Sequence, residues 1–151
     1  MTRGEIAKNY FEEGYTCSQA VALAFSDIVD IPSESLSAIA APFGGGMGRM
    51  REVCGAVSGS FIILGLTQKY TDPKDSEGKM ALYANVRELA DRFKKENGTI
   101  ICRELLEGIE VKKGITPEAR SSEYYKKRPC GELVKCAADN LEAFLTELSI
   151  L

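Results

Sequence analysis

The chain reads as an all-α protein, a compact helical bundle with the segment from Cys54 to Lys69 as its central helix. Three observations lead there. No strand-like alternation of any length occurs. Apolar residues recur instead at intervals of three and four, and cap residues, prolines and glycines punctuate those stripes at helix-sized spacing. At 151 residues and 44% hydrophobic composition the chain is long enough for one core and short for two, so residues 1–151 are expected to form a single domain.

Taken in order, Thr2 and Glu5 have the spacing of a capping box and open a first helix through Glu13, which Gly14 stops. Thr16 and Gln19 repeat the relation for a second helix to about Val29, with Cys17, Val21, Ala24, Phe25 and Ile28 on one stripe. Pro32 and Ser33 begin a shorter helix that ends at Ala41, before Pro42 and the glycine-rich loop Gly44 to Gly48. From Cys54 to Lys69 the residues are small or apolar nearly all round, as a helix without a polar face needs to be at the centre of a bundle. Ser76 to Glu96 is the longest helix, with Leu82, Val86, Leu89 and Phe93 on its stripe and Asn97 and Gly98 as its end. Thr99 is placed to cap a short helix carrying Cys102, Leu105, Leu106 and Ile109. Between Glu110 and Lys127 the pattern weakens to a loop with a helical turn at Pro117 to Tyr125. Pro129 opens a last helix to Leu148, whose stripe includes Cys130, Leu133, Val134, Ala137, Leu141, Phe144 and Leu145.

Composition narrows the functional classes. The formal charge of −3 comes without a block of like charges, so neither a nucleic-acid groove nor a polybasic membrane anchor is indicated. The charged N-terminal stretch lacks the apolar core of a secretory signal, and the longest apolar run, Phe61 to Leu66, cannot span a bilayer. A soluble cytoplasmic protein without membrane insertion is the expectation, with homodimerisation the one oligomer anticipated. Histidine is absent, which excludes Cys-His dyads, Ser-His-Asp triads, histidine haem ligation and imidazole zinc sites.

What remains is thiol chemistry. In a reducing compartment five cysteines point to catalytic, redox or metal-binding roles rather than structural disulfides. Cys17, Cys54, Cys102 and Cys130 each fall in the first turn of an expected helix, where unpaired N–H groups and the macrodipole favour a thiolate. Cys136 lies mid-helix, about 120° from Cys130 around the axis, and reads as a bystander. The gaps between the four are 37, 48 and 28 residues, so no CxxC pair signals thioredoxin chemistry or a zinc knuckle, and any shared site must be assembled by the fold.

YTCSQA, the glycine loop leading into CGAVSG, CRELL and the cysteine of RPCGELV together resemble the C_GCAxxG_C_C family of redox-active proteins over nearly the whole chain. GGGMGRMREVCGAVSG is the most specific part. The resemblance implies that Cys17, Cys54, Cys102 and Cys130 are the family's four characteristic cysteines, with Gly55, Ala56 and Gly59 completing the CGAxxG element. It also implies redox activity and an association with transport functions, and it names no substrate.

Three functions stand open at this point. One is a thiol redox protein with an unidentified redox partner, in which Cys54 attacks and another of the four resolves; burial would oppose the ionisation that its helix terminus favours. The second holds zinc or an iron–sulfur cluster on the same four thiolates. The third is a non-enzymatic sensor or partner subunit whose Gly44 to Gly48 loop, with Arg49, cradles an anion. Against all three stands the reading that the four cysteines only fill a core.

Overall fold

The computed structural model describes residues 1–151 and is all-α, with one isolated antiparallel bridge between Val53 and Ile101. Helices α1 (Arg3–Glu12) and α2 (Cys17–Leu23) both start on complete capping boxes, Thr2 with Glu5 and Thr16 with Gln19. Each box satisfies two of the donors that a first helical turn leaves unpaired. They are followed by α3 (Ser33–Ala40), the single turn α4 (Gly44–Met47), α5 (Gly55–Gln68), α6 (Ser76–Asn97), α7 (Cys102–Leu105), α8 (Ser122–Lys127) and α9 (Cys130–Glu147).

The core is shared by α2, α5 and α9. α5 packs against α2, α6 and α9, and α9 covers α1, α2, α5 and α6. From Cys54 to Ser60 every residue is buried, whereas Phe61, Ile62 and Leu66 are only half-buried. The segment is central as expected, with Ile63 and Leu64 also wholly buried in its second half, while its C-terminal turn reaches the surface. Small residues set the spacing there: a Cβ on Gly59 would lie 2.7 Å from the Ser18 carbonyl oxygen, so α2 and α5 meet almost backbone to backbone. The Ser18 hydroxyl, wholly buried at this contact, donates to the Ala40 carbonyl at 2.7 Å and ties in the end of α3.

Three expected boundaries move. The second helix stops at Leu23 instead of Val29 because Arg3 captures the Ala24 carbonyl at 2.8 Å and pairs with Asp27, leaving Ser26–Ile28 as a 3₁₀ turn. The helix carrying Cys102 ends at Leu105, short of Ile109; Thr99 does not cap it but accepts from the Ile101 N–H at 3.1 Å, one residue too early. The turn expected at Pro117 to Tyr125 lies later, as α8, because Ser121 supplies the cap by accepting from the Tyr124 N–H.

Candidate functional site

Each of the four spaced cysteines begins a helix. Cys17, Cys102 and Cys130 are the first residues of α2, α7 and α9, and Cys54 is the N-cap of α5. The fold aims these four starts at one place. All four cysteines line a single small apolar cavity of about 20 Å³, together with Gly55, Ala56 and three leucines. That volume suits one water-sized occupant. Cys136 is outside it: its half-buried thiol donates to the Glu96 carboxylate at 3.0 Å and accepts from the Asn97 amide at 3.4 Å.

Local sequence explains the convergence. The segment around Cys54 runs antiparallel to the one around Cys102, with the Cys54 N–H donating to the Ile100 carbonyl at 2.8 Å and the Cys102 N–H to the Glu52 carbonyl at 2.6 Å. The glycine loop wraps this pair. Gly45, Gly46 and Gly48 take left-handed φ, as do Met47, Arg49 and Arg51, which pay a strain cost that the surrounding contacts must hold. A Cβ on Gly46 would lie 2.7 Å from the Cys102 Cβ, and one on Gly55 would overlap the Cys17 sulfur. The glycines of this region are thus the room the thiols occupy.

A second, open cleft of about 400 Å³ lies outside the small cavity. Cys17 and Cys130 line both spaces and form the wall between them, while Cys54 and Cys102 face only the inner one. Arg49, Arg51, Arg120 and Arg128 ring the cleft together with Glu118 and the glycine loop. The outer wall, around residues 112–120, is clamped from several sides. Arg49 donates to the carbonyls of Lys112 and Thr116, Arg120 to those of Phe11 and Tyr15, and Arg128 pairs with Glu118. Arg120 also stacks over the Phe11 ring at 4.2 Å from its centroid.

The electrostatics correct one expectation. Cys54 is 6% exposed, and burial pushes its thiol well above the ordinary 9.0. The Cys17 thiolate nearby would raise it further, and the N–H groups of Ala56 and Val57 oppose this only in part. The readily ionised Cys54 expected from its helix terminus is therefore overturned: desolvation outweighs the dipole. Burial likewise raises Cys17, against the Gly45 N–H, and lifts Cys130 to about 12, against the Arg128 guanidinium. Cys136 is pushed up to about 11 by burial and by its bond to Glu96. At Glu118 burial works upward, but the Lys112 N–H and the guanidiniums of Arg128, Arg49 and Arg51 hold the carboxyl below its ordinary value.

The metal alternative meets a geometric test. No three His, Cys, Asp or Glu side chains are grouped to hold one ion. Tetrahedral coordination by Cys17, Cys54, Cys102 and Cys130 would need sulfurs about 3.5 to 4 Å apart around metal–sulfur bonds of about 2.3 Å. The four thiols surround a common space without making that set.

Sequence reasoning found the cysteines, the glycine loop and Arg49, and missed Arg120, Arg128 and Glu118. Arg128 carried a signal, since it stands two residues before Cys130 at the start of a helix; Arg120 and Glu118 lie in the aperiodic segment and carried none. The family model described as "Putative redox-active protein (C_GCAxxG_C_C)" matches residues 15–144. No curated protein and no solved structure matches the chain.

Proposed function

The chain belongs to the C_GCAxxG_C_C family, and from that premise we propose that it is a thiol–disulfide redox protein whose Cys17 and Cys130 exchange with a disulfide admitted through the arginine-ringed cleft. One observation carries the reading: four thiols line one small cavity, and two of them also line an open cleft. Cys54, chosen from sequence as attacker, is not on the cleft lining and becomes an inner thiol.

The chemistry follows from thiol exchange. One thiol of the outer pair loses its proton and attacks a substrate sulfur, forming a mixed disulfide and releasing one substrate thiolate, which takes up that proton. The other thiol of the pair then attacks the protein sulfur of the mixed disulfide. This closes a Cys17–Cys130 disulfide, and the second substrate sulfur leaves with the second proton. Two protein thiols are oxidised and the substrate disulfide is reduced to two thiols; a dithiol partner runs the sequence backwards. Cys54 and Cys102, across the inner cavity, supply a second pair for exchange with the first. Raised pKa values make the resting thiols slow to react, which confines exchange to a disulfide seated in the cleft.

The test is oxidation of the reduced protein with one equivalent of a small disulfide, acid quenching, alkylation and peptide mapping. A Cys17–Cys130 linkage with Cys136 alkylated is the expected result. Recovery of all five cysteines alkylated, or oxidation confined to Cys136, would overturn the reading.

A further inference from the structure

We propose, resting on the thiol-redox reading above, that the cleft selects small disulfides bearing anionic groups, carboxylates above all, and that its arginines recognise them. Four of the chain's eight arginines line this one cleft and no lysine does, although the whole chain carries a net charge of −3. Glu118 is the only carboxylate on the lining, and Arg128 neutralises it. Glu110 and Glu123 lie on the neighbouring groove beyond Arg128 and not in the cleft.

No carboxylate pairs with the other three guanidiniums. Arg49 and Arg120 are held by backbone carbonyls, which fix the planar groups without cancelling them. Arg51 is half-buried and forms no ion pair; its one side-chain hydrogen bond reaches the Cys102 sulfur at 3.8 Å. Guanidinium forks bind carboxylates in a bidentate way and are pre-organised to do so. A cleft of about 400 Å³ suits a small molecule. Its two thiols line the same cleft as the arginines, so a ligand whose charged ends meet the arginines holds its central sulfurs within the cleft that Cys17 and Cys130 share.

The test uses three disulfides of one size: dithiodiglycolate, bis(2-hydroxyethyl) disulfide and cystamine, which are anionic, neutral and cationic. Each rate of oxidation of the reduced full-length protein is divided by that compound's rate with free dithiothreitol, an uncharged thiol unrelated to all three, which removes intrinsic reactivity. The expected order is anionic, neutral, cationic, with roughly tenfold between the first two at low salt and a smaller ratio at high salt. Arg51→Gln should lower that ratio. Adipate, which replaces the S–S bond of dithiodiglycolate with two methylenes, should compete with it. Equal normalised rates for all three compounds, or no competition by adipate, would overturn the charge selection and leave the redox function standing. Failure of every disulfide to oxidise Cys17 and Cys130 would instead overturn the redox function itself.

Discussion

At the scale of single residues, the contest at the thiols is between a helix terminus, which favours a thiolate, and burial, which opposes it. The outcome is measurable. Cys130 is lifted to about 12, roughly three units above its ordinary value, so at pH 7 its thiolate is about a thousandfold scarcer than in an unfolded chain. Iodoacetamide should label Cys130 in the folded protein slower than in urea by roughly that factor. The folded rate should still be climbing at pH 10. A plateau below pH 9, read by mass spectrometry of the Cys130 peptide, would show that Arg128 wins over desolvation. The identity of the four cysteines was legible in the sequence, because Thr16 and Pro129 open the helices of two of them and CGAVSG and CRELL mark the others; their ionisation was not, because the desolvation comes from four segments far apart in the chain closing on one cavity, which no local pattern connects.

At the scale of elements, the CGAVSG segment explains itself through its partner. Gly55 makes room for the Cys17 sulfur and Gly59 for the Ser18 carbonyl, so α2 and α5 approach along two glycines on one face of α5, four residues apart. Gly59→Ala is the sharper probe, since its new Cβ would meet backbone 2.7 Å away, which cannot swing aside as a side chain can. Alanine gains about 1 kcal/mol in helix propensity over glycine. Overpacking costs typically 1–3 kcal/mol, and contact with unyielding backbone puts this site at about 2–3 kcal/mol, so a net loss of about 1–2 kcal/mol is expected in urea unfolding. An unchanged or raised midpoint would mean that α2 and α5 can separate without penalty. Helix starts were readable here from Thr2, Thr16 and Pro129, whereas helix ends were less so. The end of α2 depends on Arg3, more than twenty residues away, and the start of α8 on a serine in a segment without periodicity.

At the scale of the whole molecule, four thiols with raised pKa couple stability to pH. Below the ordinary value of 9.0 Cys17, Cys54, Cys130 and Cys136 are neutral in both folded and unfolded chains, and their contribution is fully present. Above it the unfolded chain releases these protons while the folded one keeps them. The unfolded state then binds fewer protons, and stability must fall as pH rises, for Cys130 up to about 12. Each such thiol contributes a slope of about 1.4 kcal/mol per pH unit at most. Unfolding midpoints in urea should therefore hold steady from pH 7 to about 8.5 and then decline. Lysines and tyrosines also titrate toward the upper end of this window, so the decisive comparison is between wild type and Cys130→Ala. The variant starts less stable but should decline less steeply, because one of the four thiols no longer ionises on unfolding. Parallel slopes for the two proteins between pH 8.5 and 10.5 would mean that the Cys130 thiol ionises as easily folded as unfolded, and the small cavity would then not be the apolar space its lining describes.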